Sequence, residues 1–276
     1  MVIADLDAGQ RDGRVFLAAP LTRQEVFDVF ADALVQEDEV VWDEKTGAVA
    51  ARRLNRLEAL VVEERPLSQP DPEAVRATLL AAIVQTGLDI LPWSEEARAI
   101  QERVQCLALW QPREKWPDLS DAHLRDTAAQ WLGPYLNGIR SREGLRSLKM
   151  TEILRGILDW RQQKRLEQDA PTHIQVPSGS RIRLRYVVGE PPVLAVRLQE
   201  MFGLADTPAV CGGKVPVTLH LLSPARRPLQ VTSDLRGFWD GTYHQVKKEM
   251  KGRYPKHPWP DDPWQAIPTA RAKPRK

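Results

Sequence analysis

The chain has 276 residues, 42% of them hydrophobic, with 39 Lys and Arg against 37 Asp and Glu for a formal net charge of +2. That is enough chain for one or two ordinary cores, and it is too polar, lacking any run of about eighteen uncharged apolar residues, to be a membrane-spanning protein. Acids in Met1-Val2-Ile3-Ala4-Asp5-Leu6-Asp7 stand where a secretory signal needs a positive flank, so a cytoplasmic protein with no membrane insertion is expected.

The first seventy residues read as strands. Val2 to Leu6 and Arg14 to Ala19 are short apolar runs separated by the turn-rich Ala8-Gly9-Gln10-Arg11-Asp12-Gly13. One helix follows, with Thr22 as its N-cap and Val26, Phe27 and Phe30 among its apolar residues. Glu39 to Asp43 and Ala48 to Arg52 flank Glu44-Lys45-Thr46-Gly47, a hairpin signature, and Leu57 to Val62 reads as a further strand. This sheet opens at Met1 with no lead-in, which suggests that it has earlier strands.

A helical region begins after Ser68-Gln69-Pro70. Asp71 caps, Pro72 takes the first helical position, Val75, Leu79 and Ile83 keep one face, and Gly87 ends the helix. Further helices are expected from Ser94 through Leu107, from Ser120 through Leu132 and from Thr151 to Gln168, the last two each as one unbroken span. From Pro171 the period returns to two. Thr172 to Val176, Arg181 to Val187, Val193 to Arg197, Val217 to Leu222 and Leu229 to Thr232 predict a second sheet. Short helices at Gln199 to Phe202 and Asp234 to Trp239 and a closing helix at Tyr243 to Gly252 complete it. Six prolines from Pro255 to Pro274 then favour extended backbone over a core. The expected class is α+β: a partial β sheet, a helical middle and a second, mainly antiparallel sheet, divided at 1–68, 69–169, 170–256 and a basic proline-rich tail 257–276.

The chain carries no phosphate loop. Its Gly213-Lys214 pair is followed by Val215, and Pro208 sits where the first glycine of GxxxxGK[ST] belongs. Asp121-Ala122-His123 has the letters of a DEAH ending without its strand or its second acid. His123, His173, His220, His244 and His257 keep no metal-ligand spacing, and Cys106 and Cys211 are expected as buried thiols, so neither a catalytic residue nor a metal site is assigned.

Charge is distributed unevenly. Acids outnumber cations up to Pro70, with clusters at Glu37-Asp38-Glu39 and Glu63-Glu64; from Leu221 onward a series of cations that includes Arg226, Arg227, Lys247, Lys248, Lys251, Arg253, Lys256, Arg271, Lys273, Arg275 and Lys276 faces five acids. Arg226, Arg227, Lys247, Lys248, Lys251, Arg253 and Lys256, interleaved with Phe238, Trp239, Tyr243, His244, Tyr254 and Trp259, are candidates to neutralise phosphates and offer stacking surfaces. The same pattern also fits aromatics covering the chain's own core and lysines solvated beside it.

These residues carry a resemblance. Arg227-Pro228-Leu229-Gln230-Val231-Thr232, Leu235 to Trp239 and Val246 to Pro260 resemble the closing segment of HrpB-type bacterial helicases. Leu91-Pro92-Trp93-Ser94, Trp116 to Ser120, Ala170 to His173 and Val176 to Arg181 fit the same family in the same order. The resemblance implies a DEAH/RHA-class RNA helicase whose two RecA-like lobes bind ATP and are followed by winged-helix, helical-bundle and OB-like domains and a further carboxy-terminal region. This chain is then expected to be the end of the OB-like domain, with a partial OB-like sheet, plus that region. ATP and magnesium belong to the absent motor domains, no cofactor is expected in this chain, and no family catalytic residue maps onto it.

Two functions follow as expectations. One is an accessory region that supports nucleic-acid binding or docks on the helicase motor domains, with RNA or another nucleic acid as ligand and no ATPase of its own. The other is an adaptor that recruits a protein partner through the C-terminal domain and the proline-rich tail.

Overall fold

The computed structural model describes residues 2–7 and 14–271; the expected turn Ala8–Gly13 and the basic Lys273, Arg275 and Lys276 lie outside the described residues. β1 (Val2–Asp7) and β2 (Arg14–Ala19) pair antiparallel. Thr22 starts α1 (Arg23–Val29) with a capping box: its hydroxyl accepts from the Glu25 amide, and Glu25 accepts from the Thr22 amide. β3 (Leu34–Asp43) and β4 (Ala48–Leu57) form the expected hairpin. Asp43 accepts from the Thr46 hydroxyl and the Lys45 amide, each at 2.9 Å, and Gly47 supplies a φ of 63°. β5 (Leu60–Pro66) starts later than the sequence suggests. Leu57 closes β4, and Glu58-Ala59 makes the turn with Glu58 at φ 51°.

α2 (Pro72–Thr86) is capped by Asp71, whose carboxylate accepts from the amides of Glu73 and Ala74, and it stops at Gly87 with φ 105°. α3 (Glu95–Trp110) starts on the Ser94 hydroxyl. Both long helices expected next are divided. Between α4 (Asp121–Asp126) and α5 (Ala128–Trp131), Thr127 leaves helical geometry and its hydroxyl donates to the His123 carbonyl at 2.6 Å. After the short α6 (Arg142–Leu145), α7 (Met150–Ile157) and α8 (Trp160–Asp169) are separated by a capping box. There Asp159 accepts from the Gln162 amide at 2.8 Å, and Gln162 accepts from the Asp159 amide at 3.0 Å.

β6 (His173–Gln175), β7 (Arg181–Arg185), β8 (Val193–Arg197), β9 (Ala209–Val210), β10 (Val215–Pro216), β11 (Thr218–Leu222) and β12 (Pro228–Thr232) follow, then α9 (Leu235–Asp240) and α10 (Thr242–Arg253). The fold is mixed α+β. Its largest sheet has the order β12-β11-β8-β7-β6, antiparallel except between β8 and β11.

Two compact units share the chain, and both are discontinuous: residues 1–92 with 128–148, and 93–127 with 149–276. This division cuts across the expected boundaries at 68/69 and 169/170. In the first unit α2 packs on β3, β4 and α5, burying Leu54, Val75, Leu79 and Ile83. The returning segment is fastened to the β3–β4 hairpin: the Val49 amide donates to the Arg140 carbonyl at 2.7 Å and the Arg142 amide to the Gly47 carbonyl at 2.8 Å. The acidic clusters of this unit are matched by arginines across the strands. Arg53 grips Asp38 through two bonds of 2.7 and 2.9 Å, which hold that carboxyl below the ordinary carboxylate range. Arg52 reaches Glu39 and Glu64, Arg56 reaches Glu37, and the buried Glu63 accepts from Arg65 at 2.9 Å.

In the second unit α3 packs against α7 and α8 over Ile100, Val104, Leu107, Ile153, Leu154 and Leu166. A second core gathers Phe202, Phe238, Trp239 and Tyr243, with Phe238 and Trp239 centroids 5.1 Å apart and Trp239 and Tyr243 centroids 5.3 Å apart. The proline-rich segment after α10 does not form a separate tail within the described residues. Trp259 and Pro263 are buried, the Gly203 amide donates to the Pro263 carbonyl at 3.0 Å, and the Thr269 amide donates to the Gln199 carbonyl at 3.0 Å. Proline leaves such a segment extended, and here the hydrogen bonds come from the domain it crosses.

Candidate nucleic-acid interface

Ring burial is what separates the two readings of the interleaved cations and aromatics. Phe238, Trp239 and Tyr243 are at most 4% exposed. The Trp239 indole donates to the Leu204 carbonyl at 2.9 Å, the Tyr243 hydroxyl to the Pro260 carbonyl at 2.8 Å and the Trp259 indole to the Tyr254 carbonyl at 3.0 Å. Burial also pushes the Tyr243 hydroxyl pKa up. These rings hold the domain together and leave no face for a base.

The cations fare differently. Tyr243 and Val246 turn one side of α10 into the core, which leaves His244, Lys248 and Lys251 exposed along the flank beside Lys247. Their spacing of three, four and seven residues stacks them as one stripe. Lys247, only 13% exposed, is committed to an ion pair with Asp261 from the proline-rich segment. That bond, and the fields of Lys251 and His244, hold the Asp261 carboxyl below its ordinary range. Arg253 is exposed on a different side of α10, and Lys256 is exposed in the loop beyond it.

Arg226 and Arg227 sit in the turn between β11 and β12. Arg226 takes φ 60°, its amide donates to the Ser223 carbonyl at 2.8 Å, and the Arg227 amide donates to the Ser223 hydroxyl at 3.0 Å. Arg226 lines a concavity of about 590 Å³ with Arg181, Arg183 and Arg197, and no lysine of α10 lines it. Those three arginines were not singled out from sequence. For Arg181 and Arg183 the signal is Arg181-Ile182-Arg183-Leu184-Arg185, in which Leu184 is buried, Ile182 is half-buried and Arg181, Arg183 and Arg185 are exposed; Arg197, on β8, has no such signal.

The remaining candidates are structural. Asp121 accepts from Arg98 at 3.0 Å and from Gln101 at 2.7 Å, tying α4 to α3. Gly213-Lys214 belongs to the hairpin turn from β9 to β10, where Cys211, Gly212 and Gly213 all have positive φ. Cys106 and Cys211 are free, buried thiols, and burial pushes Cys106 up to about 11. Among the described residues no group of three or more His, Cys, Asp or Glu is placed to hold a metal ion, and no helix is long and apolar enough to cross a membrane.

Comparison with known proteins gives a consistent assignment. Residues 131–263 match the family described as ATP-dependent helicase C-terminal, and residues 33–67 match the connector region of ATP-dependent RNA helicase HrpB. The chain is 44% identical over 262 residues to the ATP-dependent RNA helicase HrpB of Escherichia coli (strain K12), a match covering 95% of this chain and 32% of that protein. It is also similar to the crystal structure of the E. coli DExH-box NTPase HrpB, at 43% identity and a TM-score of 0.73 over 98% of this chain and 34% of that one. A crystal structure of the Escherichia coli DEAH/RHA helicase HrpB matches at 44% identity and a TM-score of 0.64, over 82% of this chain and 29% of that one. The chain thus spans about a third of the length of these relatives. Motifs, family matches and fold agree: this chain belongs to the HrpB family of ATP-dependent helicases and corresponds to its C-terminal part.

Proposed function

We propose that this chain is an accessory region of an ATP-dependent RNA helicase, which helps a motor carried on other domains to hold nucleic acid and does not turn over ATP itself. The observation that carries this reading is the match to the C-terminal third of HrpB by a sequence that has no phosphate loop. ATP and magnesium then belong to the motor domains. We also read the β1–β2 pair and its neighbourhood as the end of an OB-like domain, an assignment that rests on the resemblance alone.

On this chain the exposed Lys248 and Lys251 of α10 are the first contacts we assign to phosphate, with Arg226, Arg227, Arg253 and Lys256 as further candidates. Lys247 serves chiefly its pair with Asp261. The test is binding of a labelled single-stranded RNA to the purified chain across a salt series. Binding should weaken steeply with salt, because released counterions drive it, and Lys248→Glu/Lys251→Glu should weaken it without lowering the unfolding midpoint. Salt-insensitive binding, or ATP turnover by this chain alone, counts against the proposal. The adaptor reading is weakened by the buried Trp259 and Pro263, which engage the prolines of the described tail within their own domain.

A further inference from the structure

The largest sheet has one fully buried side and one side that is partly open, with Val193 still buried on it. Leu184, Leu194, Val196, Leu219 and Leu221 are at most 3% exposed and mark the buried side. Alternation then sends Arg181, Arg183 and Arg185 of β7 outward, and pairing carries the same side onto the neighbouring strands: His173 lies opposite Arg183, Val193 opposite Arg185, and Leu222 beside Arg197. Arg226, at the tip of the β11–β12 turn, borders this side as well.

The open side is strongly cationic. Arg181, Arg183, Arg197 and Arg226 line one concavity of about 590 Å³ together with His173. Its acid, Glu200, is 5% exposed and accepts a bond of 3.0 Å from the Ser178 hydroxyl. Arg183 is shared with Glu95 at 2.9 Å, and the charges of Arg183 and Arg185 both act on the Glu102 carboxyl of α3, whereas Arg181 and Arg226 form no ion pair among the described residues. Cations gathered this way repel one another, and an anion laid across them relieves that cost.

We infer that this open sheet face is a second binding surface, a track for the phosphate backbone of single-stranded RNA, separate from the α10 stripe. The inference rests on the reading that the chain handles nucleic acid, and adds where and how. Outward arginines on one strand lie about 6.6 Å apart, two residues at a rise of roughly 3.3 Å each. That distance is close to the separation of successive phosphates along an extended single strand, and guanidinium forks suit phosphate oxygens. Among the described residues no Phe, Tyr or Trp lines this concavity and His173 gives its one ring, so the face should hold the backbone with little preference among bases.

The experiment compares the whole 276-residue chain with two triple variants of equal charge loss, using a fluorescein-labelled oligouridylate across a salt series. One variant is Arg181→Gln/Arg185→Gln/Arg226→Gln. The control removes three exposed arginines elsewhere in the same unit, Arg113→Gln/Arg125→Gln/Arg155→Gln. Thermal midpoints verify that both remain folded. The sheet variant should lose about tenfold or more in affinity and flatten the slope of log affinity against log salt by about 2, three contacts at roughly 0.7 each. The control should change neither to that extent. Equal losses in both variants mean a general charge effect and overturn the inference. RNA binding that survives the sheet variant and is lost in Lys248→Glu/Lys251→Glu overturns it too, and leaves the proposed function standing. A sheet variant that loses association with helicase motor domains while keeping RNA also overturns it, because the face would then be a protein dock. Absence of RNA binding by the unaltered chain removes both readings together.

Discussion

Arg103 closes the end of α8 through the carbonyl of Ala170. Its guanidinium, 2% exposed, donates to that carbonyl, which has no amide partner in the helix, and, at 3.0 Å, to the carbonyl of Leu166, which also accepts from the Ala170 amide at 3.1 Å. Glu167 neutralises it at 3.1 Å. A buried cation here ties α3 to the chain that leads into the largest sheet.

Removing that cation leaves the buried Ala170 carbonyl unpaired, takes one of two donors from the Leu166 carbonyl and opens a gap beside α3. Arg103→Met should cost about 3 kcal/mol in urea unfolding. A cost under about 1 kcal/mol would show that water replaces the guanidinium without penalty.

His257 makes stability depend on pH. Its Nδ1 is buried without a hydrogen-bond partner, and burial and then the charge of Arg197 lower its pKa below the ordinary 6.5. A folded histidine depressed in this way holds fewer protons than the unfolded chain, so stability is full above about pH 6.5 and declines as pH falls through that value. Unfolding free energies measured across this window should show the decline, and His257→Gln should flatten it. An unchanged pH slope in the variant would move the effect to another group.

Asp261 acts as a built-in counter-anion for α10. Asp261→Asn releases Lys247 from its pair and removes one negative charge beside Lys251, so RNA affinity should rise by about twofold to fivefold and become steeper in salt. Unchanged affinity would place α10 away from the bound strand.

Glu58 occupies the left-handed region at φ 51° in the turn between β4 and β5. Glu58→Gly should stabilise the chain by about 0.5 kcal/mol, the relief of strain less the entropy of glycine, and Glu58→Val should destabilise it by about 1 kcal/mol. Thermal midpoints of the two variants should move in opposite directions; movement in the same direction would show that packing, not backbone strain, governs this turn.

Local chemistry was what the sequence made legible. Asp43 to Gly47 and Asp71-Pro72 through Gly87 carry their own caps and turn residues, and both elements stand where the pattern put them. The breaks at Thr127 and Asp159 were hidden because each lies within a continuing apolar stripe, where Leu124, Ala128, Trp131 and Leu132, or Ile153, Leu154, Leu158 and Leu166, all remain buried. Glu58-Ala59 lacks the Gly, Asn or Asp that announces a two-residue turn. At the candidate site the partner of Lys247 comes from a segment expected to be solvated. The arginines of β7 alternate visibly, yet only strand pairing and the course of the β11–β12 turn bring them together with Arg197 and Arg226.

Residues 128–148 complete the first unit from within the sequence of the second. No single cut therefore releases either half whole. During synthesis the opening sheet awaits the segment that ends at Leu148, while α3, already made, must wait longer for α7 and α8 to cover it. The interleaving makes late residues a condition for finishing early ones, and a ribosome that stops between Thr127 and Lys149 leaves the α3 face, with Ile100, Val104 and Leu107, bare to solvent.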